Sequence, residues 1–150
     1  MEELNLAMVQ EPPLKGAKNQ DKTATGFSTL PVVAYGTNSR ACIVRKRDIK
    51  MIPVAHISTS DMAVGLWTTP SDDKIVVCSA YFPFGGEIEE SIHDLEKVRE
   101  YANTKGYGLI IMGDFNAHGE TWGSKENNPR GTAMEEYLER SDLTHTRVYR

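Results

Sequence analysis

Apolar residues along the chain fall in short runs separated by polar and turn-forming residues, a pattern typical of β-strands. As a group the runs are rich in Val, Ile, Trp and Tyr, and they predict strands at Leu6–Val9, Leu30–Tyr35, Ala41–Arg45, Met51–His56, Ala63–Thr68 and Ile75–Tyr81. The first run is apolar throughout and is stopped by Pro12 and Pro13, which predicts a strand buried on both faces. Ser71-Asp72-Asp73 predicts a hairpin turn between the last two strands.

Two later segments have the periodicity of helices. In residues 87–103 the apolar positions form one stripe, and Gly106 is placed to end the helix. The apolar positions of that stripe include Ile88, Ile92, Leu95, Val98 and Ala102. The second helix is predicted from about Thr132 to Glu139, with Thr132 and Glu135 forming a capping box.

A short apolar run, Leu109–Met112, lies between the two helices and has the composition of a central strand. A final strand is predicted at Thr146–Tyr149, and the polar residues 14–26 are predicted to form a surface loop. The order of elements indicates a mixed α/β or α+β fold in which sheet dominates. Strands and helices do not alternate regularly, so a doubly wound nucleotide-binding fold is disfavoured.

Length and charge narrow the class of protein. The 150 residues fit one domain with a real core. Lys and Arg number 17 against 21 Asp and Glu, and the net charge of −4 excludes a globally basic nucleic-acid binder but not a nuclease with a local basic groove. Cys42 and Cys78 lie far apart and are predicted to be buried core thiols. The acidic N-terminus and the lack of an apolar run of about 20 residues predict an intracellular protein, neither secreted nor membrane-spanning.

The first candidate for chemistry is Gly113-Asp114-Phe115-Asn116-Ala117-His118, which directly follows the apolar run Leu109–Met112. Residues two apart on a strand point the same way, so Asp114 and Asn116 are expected to face one site. There a carboxylate and an amide could orient a water and hold a phosphate oxygen. The alternative is a strand end followed by a polar turn, with both side chains bonded to the backbone.

Two other predicted strands also end in polar residues suited to phosphate chemistry. Glu11 follows the first strand, and a lone carboxylate there could hold Mg²⁺, which prefers oxygen ligands and keeps several waters. Tyr81 ends the last strand before the first helix, and its hydroxyl could donate to a phosphate. The alternatives are an ordinary polar strand end for Glu11 and an amphipathic core tyrosine for Tyr81.

Further candidates lie in polar segments. An exposed Trp122 could stack on a base, and Arg130, just before a helix, could contact phosphate. The alternative for Trp122 is a buried side chain that anchors a loop. The basic run Arg45-Lys46-Arg47 is either a DNA-binding patch or a solvated turn between strands.

Together these segments resemble the endonuclease/exonuclease/phosphatase superfamily, and within it the apurinic-type endonuclease domain of non-LTR retrotransposons. The motifs that carry the resemblance are Gln10-Glu11-Pro12, Ser79-Ala80-Tyr81-Phe82-Pro83, Gly113-Asp114-Phe115-Asn116-Ala117-His118, Trp122-Gly123-Ser124 and Arg130-Gly131. The last three are particularly specific to the retrotransposon branch, to which Ser39-Arg40-Ala41 is also similar. The resemblance extends over nearly the whole chain. It implies an α+β fold of two packed β-sheets flanked by helices, the DNase I-like four-layer sandwich.

The resemblance also implies an activity, Mg²⁺-dependent hydrolysis of a phosphodiester, with Mn²⁺ as an alternative metal. Glu11 matches the metal ligand of the family, and Tyr81 matches its phosphate-contacting tyrosine. Asp114 matches the carboxylate that positions or activates the attacking water, and Asn116 matches the amide that holds the scissile phosphate. Contacts to DNA are expected from His118, Trp122 and Arg130.

Two motifs of the superfamily have no match in the sequence. No asparagine-bearing strand precedes Leu6, and neither the aspartate that orients a histidine nor the terminal Ser-Asp-His motif follows. The expectation is therefore one domain over residues 1–150 that lacks the first strand and the C-terminal strands, which would leave open sheet edges. A missing histidine partner would lower the rate by roughly 10²–10⁴-fold.

Three functions stay open from the sequence. The first is a Mg²⁺-dependent endonuclease that nicks DNA in the nucleus and is joined to a reverse transcriptase in the same polyprotein. The second is a non-catalytic remnant of that domain that binds DNA or a protein partner. The third is a phosphatase or phospholipase of the same superfamily, which the motifs around Asp114 and Trp122 disfavour. The target DNA sequence and the oligomeric state are not indicated.

Overall fold

A computed structural model describes residues 5–12, 31–34 and 38–145 of the chain, and these form two stacked β-sheets with helices on one side. The strands are β1 (Leu6–Gln10), β2 (Val32–Ala34), β3 (Ala41–Arg45), β4 (Lys50–Pro53), β5 (Met62–Thr68), β6 (Lys74–Tyr81) and β7 (Gly108–Asp114). The helices are α1 (Ile88–Lys105) and α2 (Pro129–Arg140), with short 3₁₀ turns at Ala55–Ile57 and Glu120–Trp122. No helix within the described ranges is long and apolar enough to cross a membrane.

The two sheets differ in strand direction. The first has the order β1-β3-β2 and is antiparallel, whereas the second has the order β4-β5-β6-β7 and its last pair, β6 with β7, is parallel. A parallel pair needs a crossover connection, which α1 supplies. The sheets pack face to face through a cluster of buried side chains: Val33, Ile43, Met51, Ala63 and Val77. The predicted α+β class with two packed sheets and helices is confirmed.

Both helices cover the outer face of the second sheet. Helix α1 buries Ile88, Leu95, Val98 and Ala102, as the apolar stripe predicts. It ends at Gly106, whose φ of 67° is a left-handed conformation that glycine adopts at little cost, so the predicted stop is confirmed. The second sheet therefore has one face against the first sheet and the other against α1 and α2.

The predicted capping box of helix α2 is wrong, because the helix begins before Thr132. The N-cap is Asn128, whose side-chain oxygen accepts a hydrogen bond from the Gly131 amide at 2.7 Å, and Pro129 takes the first helical position. The Thr132 hydroxyl donates to the Asn128 carbonyl instead, and the Glu135 carboxylate accepts from Thr121. Proline has no amide hydrogen of its own that would need a partner at the first helical position, so Pro129 suits the start of the helix.

Two strand predictions need correction because burial depends on neighbouring strands. Every residue of β1 is only partly buried, since within the described residues β1 pairs with β3 alone. Strand β7 was predicted to be central, yet among the described strands it is the last of its sheet. Its residues alternate between exposed and partly buried, and Ile110 is 40% and Met112 45% exposed.

The predicted strand Met51–His56 is also too long. Strand β4 ends at Pro53, and a 3₁₀ turn, Ala55–Ile57, follows. The Ser58 hydroxyl donates to the Val54 carbonyl at 2.9 Å, which closes that turn and ends the strand. By contrast, the predicted hairpin turn at Ser71-Asp72-Asp73 is confirmed between β5 and β6.

The remaining predictions concern the cysteines and segments that lie wholly or partly outside the described residues. The loop at 14–26 and the strand at Thr146–Tyr149 lie outside the described residues, and of the predicted strand Leu30–Tyr35 the structure describes 31–34, which contain β2. Cys42 and Cys78 are free and buried, as predicted. Burial raises the pKa of the Cys42 thiol to about 11 and that of Cys78 to about 12.

Candidate active site

Tyr81 and Asp114 end two neighbouring parallel strands and lie side by side. Tyr81 is the last residue of β6, Asp114 the last of β7, and the two are paired in the register of the strands. The carboxyl ends of parallel strands meet at one edge of a sheet, so both side chains stand at the same edge. The structure therefore brings together two of the predicted site residues that are far apart in sequence.

Glu11 reaches the same edge from the other sheet. It directly follows β1, and its amide donates to the Arg40 carbonyl at 2.7 Å. Just before it, the Gln10 side chain donates to the hydroxyl of buried Ser79 at 3.1 Å, a bond that joins β1 to β6 across the sandwich. Glu11 has a φ of 48°, in the left-handed region that few residues other than glycine enter. These bonds hold the turn that presents the Glu11 carboxylate.

The Tyr81 hydroxyl is held in its protonated form. Desolvation of the hydroxyl, its hydrogen bond to the Glu11 carboxylate and the nearby negative charge of Asp114 all raise the pKa of Tyr81, and Arg40 opposes them. A tyrosine with a raised pKa remains a phenol at neutral pH, so it can donate a hydrogen bond to an anionic oxygen. The same interactions indicate that both carboxylates lie near this hydroxyl.

Arg40 and Asp61 support the site, and the sequence did not identify either. The Arg40 guanidinium binds both oxygens of Asp61, at 2.5 Å from Nε and 2.7 Å from Nη2, and its Cζ lies 5.4 Å from the centroid of the Tyr81 ring. The Tyr81 amide donates to the Asp61 carbonyl at 2.8 Å. The only sequence signal was the similarity of Ser39-Arg40-Ala41 to the retrotransposon branch, which assigns no role to Arg40.

Asp114 and Asn116 are adjacent, but not by the strand alternation that the sequence predicted. Strand β7 ends at Asp114, and Asn116 has a φ of 46°, which is not a strand conformation. The Asp114 carboxylate accepts from the Asn116 amide at 3.1 Å, and Asn116 Nδ2 donates to the Phe82 carbonyl at 2.9 Å. The polar turn that the sequence offered as the alternative is thus present, and it also presents both groups at the site edge.

Arg130 holds this turn from helix α2. Its Nε donates to the Asn116 carbonyl at 3.0 Å, and its Nη1 donates to the Gly86 carbonyl at 2.7 Å. Its Nη2 is buried without a partner in the structure. The side chain therefore links three segments: α2, the Asn116 turn and the loop after β6. The expected contact of Arg130 with DNA stays a prediction.

Trp122 and His118 belong to the loop between β7 and α2. Trp122 is partly buried against the core, and its Nε1 donates to the Ala117 carbonyl at 3.0 Å, so it anchors the loop. His118 is exposed, while its amide donates to the Asn128 side chain at 3.0 Å. A cavity of about 770 Å³ along β7 includes in its lining Asp114, Asn116, His118 and Trp122. The expected contacts of Trp122 and His118 with DNA stay predictions.

The basic run begins at the last residue of β3, Arg45, whose side chain bonds the turn that follows. Arg45 Nη1 donates to the carbonyls of Lys46, at 3.2 Å, and Ile49, at 2.8 Å. These bonds favour the solvated-turn alternative for Arg45, because its guanidinium is already engaged with the backbone.

The donors that meet at the site edge are all suited to a hard cation. They are the carboxylates of Glu11 and Asp114, the hydroxyl of Tyr81 and the side chain of Asn116. No group of three or more His, Cys, Asp and Glu side chains placed to hold a metal occurs in the part of the chain that the structure describes. The carboxylates of Glu11 and Asp114 match the one or two carboxylates with which proteins often hold Mg²⁺, the remaining ligands being water.

Comparison with known proteins adds two findings. A family model described as endonuclease-reverse transcriptase matches residues 75–148, just under half of the chain. The solved endonuclease domain of TRAS1, a telomere-specific non-LTR retrotransposon, matches with a TM-score of 0.74 and 25% sequence identity. That match covers 91% of this chain and 57% of the other, so this chain spans less than two thirds of the matched structure. Among curated proteins, none matches significantly.

The two matches agree with the motifs. The family model takes in Tyr81, Asp114, Asn116 and Arg130, and Glu11 lies before its first residue. The structural match extends over most of the described sheets and helices. The resemblance is therefore confirmed: this chain is similar to the endonuclease domains of non-LTR retrotransposons and has their DNase I-like fold.

Proposed function

We propose that this chain hydrolyses a phosphodiester of DNA in the presence of Mg²⁺, nicking it as the endonuclease of a retrotransposon-derived protein. One observation carries the proposal: the ends of β1, β6 and β7 bring Glu11, Tyr81, Asp114 and Asn116 to one edge of the sandwich. The relationship to retrotransposon endonuclease domains supports DNA as the substrate.

Two side chains are suited to hold the phosphate. The Tyr81 phenol stays protonated at neutral pH, and its single hydrogen can turn from the Glu11 carboxylate to a phosphate oxygen. Asn116 Nδ2 uses one hydrogen for the Phe82 carbonyl, and the second hydrogen of the amide remains for the phosphate. Fixed donors of this kind stabilise the charge that develops on phosphate oxygens during hydrolysis.

Asp114 is suited to act on the attacking water. Its carboxylate is already oriented by the Asn116 amide at 3.1 Å and stays exposed at the end of β7. A positioned carboxylate can accept a proton from water as the water attacks, a contribution of about 10²–10⁴-fold in rate. Glu11 would hold the metal, and a bound Mg²⁺ would supply charge neutralisation at the phosphate.

The test is nicking of supercoiled plasmid DNA with Mg²⁺ by the wild type and by Asp114→Asn. We expect the variant to lose about 10²–10⁴-fold in rate, the contribution of a positioned general base. The matched control is Asp72→Asn, since the Asp72 carboxylate is 90% exposed in the β5–β6 turn, at the end of β6 opposite Tyr81. If Asp114→Asn nicks as fast as the wild type, the assignment of this site is wrong.

A second candidate is binding without hydrolysis. It is kept because this chain spans only 57% of the matched endonuclease, so part of that domain has no counterpart in the alignment. Binding to DNA that weakens with salt, together with no nicking by the wild type at any Mg²⁺ concentration, would favour this candidate. We also propose that the domain is joined to a reverse transcriptase, which the description of the matching family model supports. We further propose, from the resemblance alone, that it acts in the nucleus.

A further inference from the structure

Phe84 has the largest exposed fraction among the large hydrophobic side chains of the described residues, 73%. Single exposed apolar residues are common on proteins and need no explanation by themselves. Phe84 differs because the turn that carries it is fixed on both sides by residues of the candidate site. Its place in this turn puts the ring next to the candidate site.

The turn at Pro83–Gly86 is closed and anchored at both ends. The Gly86 amide donates to the Pro83 carbonyl at 3.1 Å, and Arg130 donates to the Gly86 carbonyl at 2.7 Å. On the other side, the Phe82 amide donates to the Asp114 carbonyl at 2.8 Å, and the Phe82 carbonyl accepts from Asn116. The backbone of Asp114 and the side chains of Asn116 and Arg130 therefore hold the backbone beneath Phe84.

The neighbours of Phe84 leave its ring open. The Phe82 ring points the other way, is fully buried and meets Phe115 edge to face with 5.0 Å between centroids. A Cβ added at Gly85 would have no atom within 4 Å, so that side of the turn is open space. The ring is thus available on a rigid support, and a partner would not need to order the loop first.

The ring also lies within reach of a bound DNA strand. Phe84 is three residues after Tyr81, so the two Cα atoms are at most about 11 Å apart at ~3.3–3.6 Å per residue. Successive nucleotides rise by about 3.4 Å along a strand, so a phosphate at Tyr81 would have bases of its nearest nucleotides in that range. A flat aromatic face is complementary to any nucleobase, since every base has a π-face.

We propose that Phe84 is a base-stacking contact, on which an unpaired or unstacked nucleobase next to the scissile phosphate lies. This inference rests on the proposed function for its ligand, DNA. Bases inside a duplex have both faces covered by their neighbours, so the contact favours DNA with an unpaired nucleotide close to the cleaved bond. Stacking of this kind tolerates sequence, so it selects the shape of the DNA and not a particular base.

The experiment uses the full chain and oligonucleotides that carry aminopurine, a fluorescent adenine analogue, in single-stranded and in fully paired form. Chelator is present, so binding is measured without hydrolysis. Stacking on an aromatic ring quenches aminopurine. For the single strand, we expect Phe84→Ala to weaken binding roughly 5- to 150-fold and to remove the quenching, because base stacking contributes about 1–3 kcal/mol. Phe84→Trp should keep both.

The matched control is Ile52→Ala. The Ile52 side chain is apolar and 63% exposed, and it lies on β4, at the other edge of the second sheet from β7. Unchanged binding and quenching in Phe84→Ala would overturn the inference, as would equal losses in Ile52→Ala or failure of the wild type to bind DNA. A wild type that binds and quenches but never nicks would refute the proposed hydrolysis and leave the stacking contact standing. If the wild type nicks DNA and Phe84→Ala changes neither binding nor quenching, the stacking contact is refuted and the proposed hydrolysis stands.

Discussion

Arg130 Nε lies 3.0 Å from the carbonyl oxygen of Asn116 and donates to it, so helix α2 fixes the backbone of the amide proposed to hold the phosphate. Asn116 has a φ of 46°, a conformation that side chains other than glycine adopt at some cost. A hydrogen bond from a charged donor is among the stronger ones, and here it stabilises that conformation.

The first prediction concerns Arg130→Ala. Because the side chain positions Asn116 and the turn after β6, we expect the nicking rate to fall by about 10–100-fold, the cost of misplacing a reacting group by around 1 Å. DNA affinity should change much less. Single-turnover nicking and equilibrium binding measure the two separately.

Arg140→Ala is the control for the first prediction, since Arg140 ends the same helix and its Nε bonds only within that helix, to Glu136. A loss of affinity at an unchanged rate would show instead that Arg130 contacts DNA directly, the role that the sequence predicts.

The second prediction concerns the pair Arg40 and Asp61. Their ion pair is partly exposed, 46% and 22%, so each substitution should change the free energy of unfolding by only about 0–1 kcal/mol. Arg40→Lys and Asp61→Asn should each slow nicking by about 10-fold, because Asp61 holds the guanidinium that lies over the Tyr81 ring.

The double variant of Arg40 and Asp61 should be about as slow as either single variant, since both act through one contact. If the double variant is slowed by the product of the two single factors, this account is contradicted. Thermal unfolding of all three variants checks that the fold is retained.

The third prediction concerns Gly131, next to Arg130 in helix α2. A Cβ at Gly131 would lie 1.8 Å from the carbonyl oxygen of His118, a backbone atom that cannot move aside alone. Gly131→Ala should therefore lower the free energy of unfolding by about 1–3 kcal/mol, measured by urea denaturation. Gly85→Ala, whose Cβ would meet nothing within 4 Å, should be neutral. Equal stability of the two variants would show that the loop packs less tightly on α2.

The fourth prediction is a pH dependence of stability that arises from Glu96 at the α1–α2 contact. Hydrogen bonds from Arg99 and then from Tyr137 lower the pKa of Glu96 below its ordinary value of 4.5. A lowered folded-state pKa contributes stability that is present above the unfolded-state value and is lost as the pH falls through the folded-state value.

Urea unfolding between pH 7 and pH 3 checks the fourth prediction against Glu96→Gln, which cannot ionise. The wild type should be the more stable protein at neutral pH, and its advantage should shrink as the pH falls below about 4.5. Parallel curves for the two proteins would contradict it.

Elements whose signals are local were predicted correctly. Helix α1 carries its apolar stripe and its glycine stop within one segment, and β3, β5 and β6 carry their apolar runs between turn residues. The start of α2 was missed because the Asn128 cap and Pro129 begin the helix before the capping box predicted at Thr132. The exposure of β7 was missed because burial of a strand depends on which strands flank it, and composition does not state that.

The amino-acid sequence by itself determined the residue types and motifs that mark Glu11, Tyr81, Asp114 and Asn116 as candidates, because those signals lie in short stretches at strand ends. Only the tertiary structure decided that they share one edge and that Arg40, Asp61 and Arg130 support them. The contacts responsible join residues 14, 21 and 69 positions apart, from Arg130 to Asn116, Arg40 to Asp61 and Gln10 to Ser79. Such contacts arise from strand register and sheet packing, which no local pattern encodes.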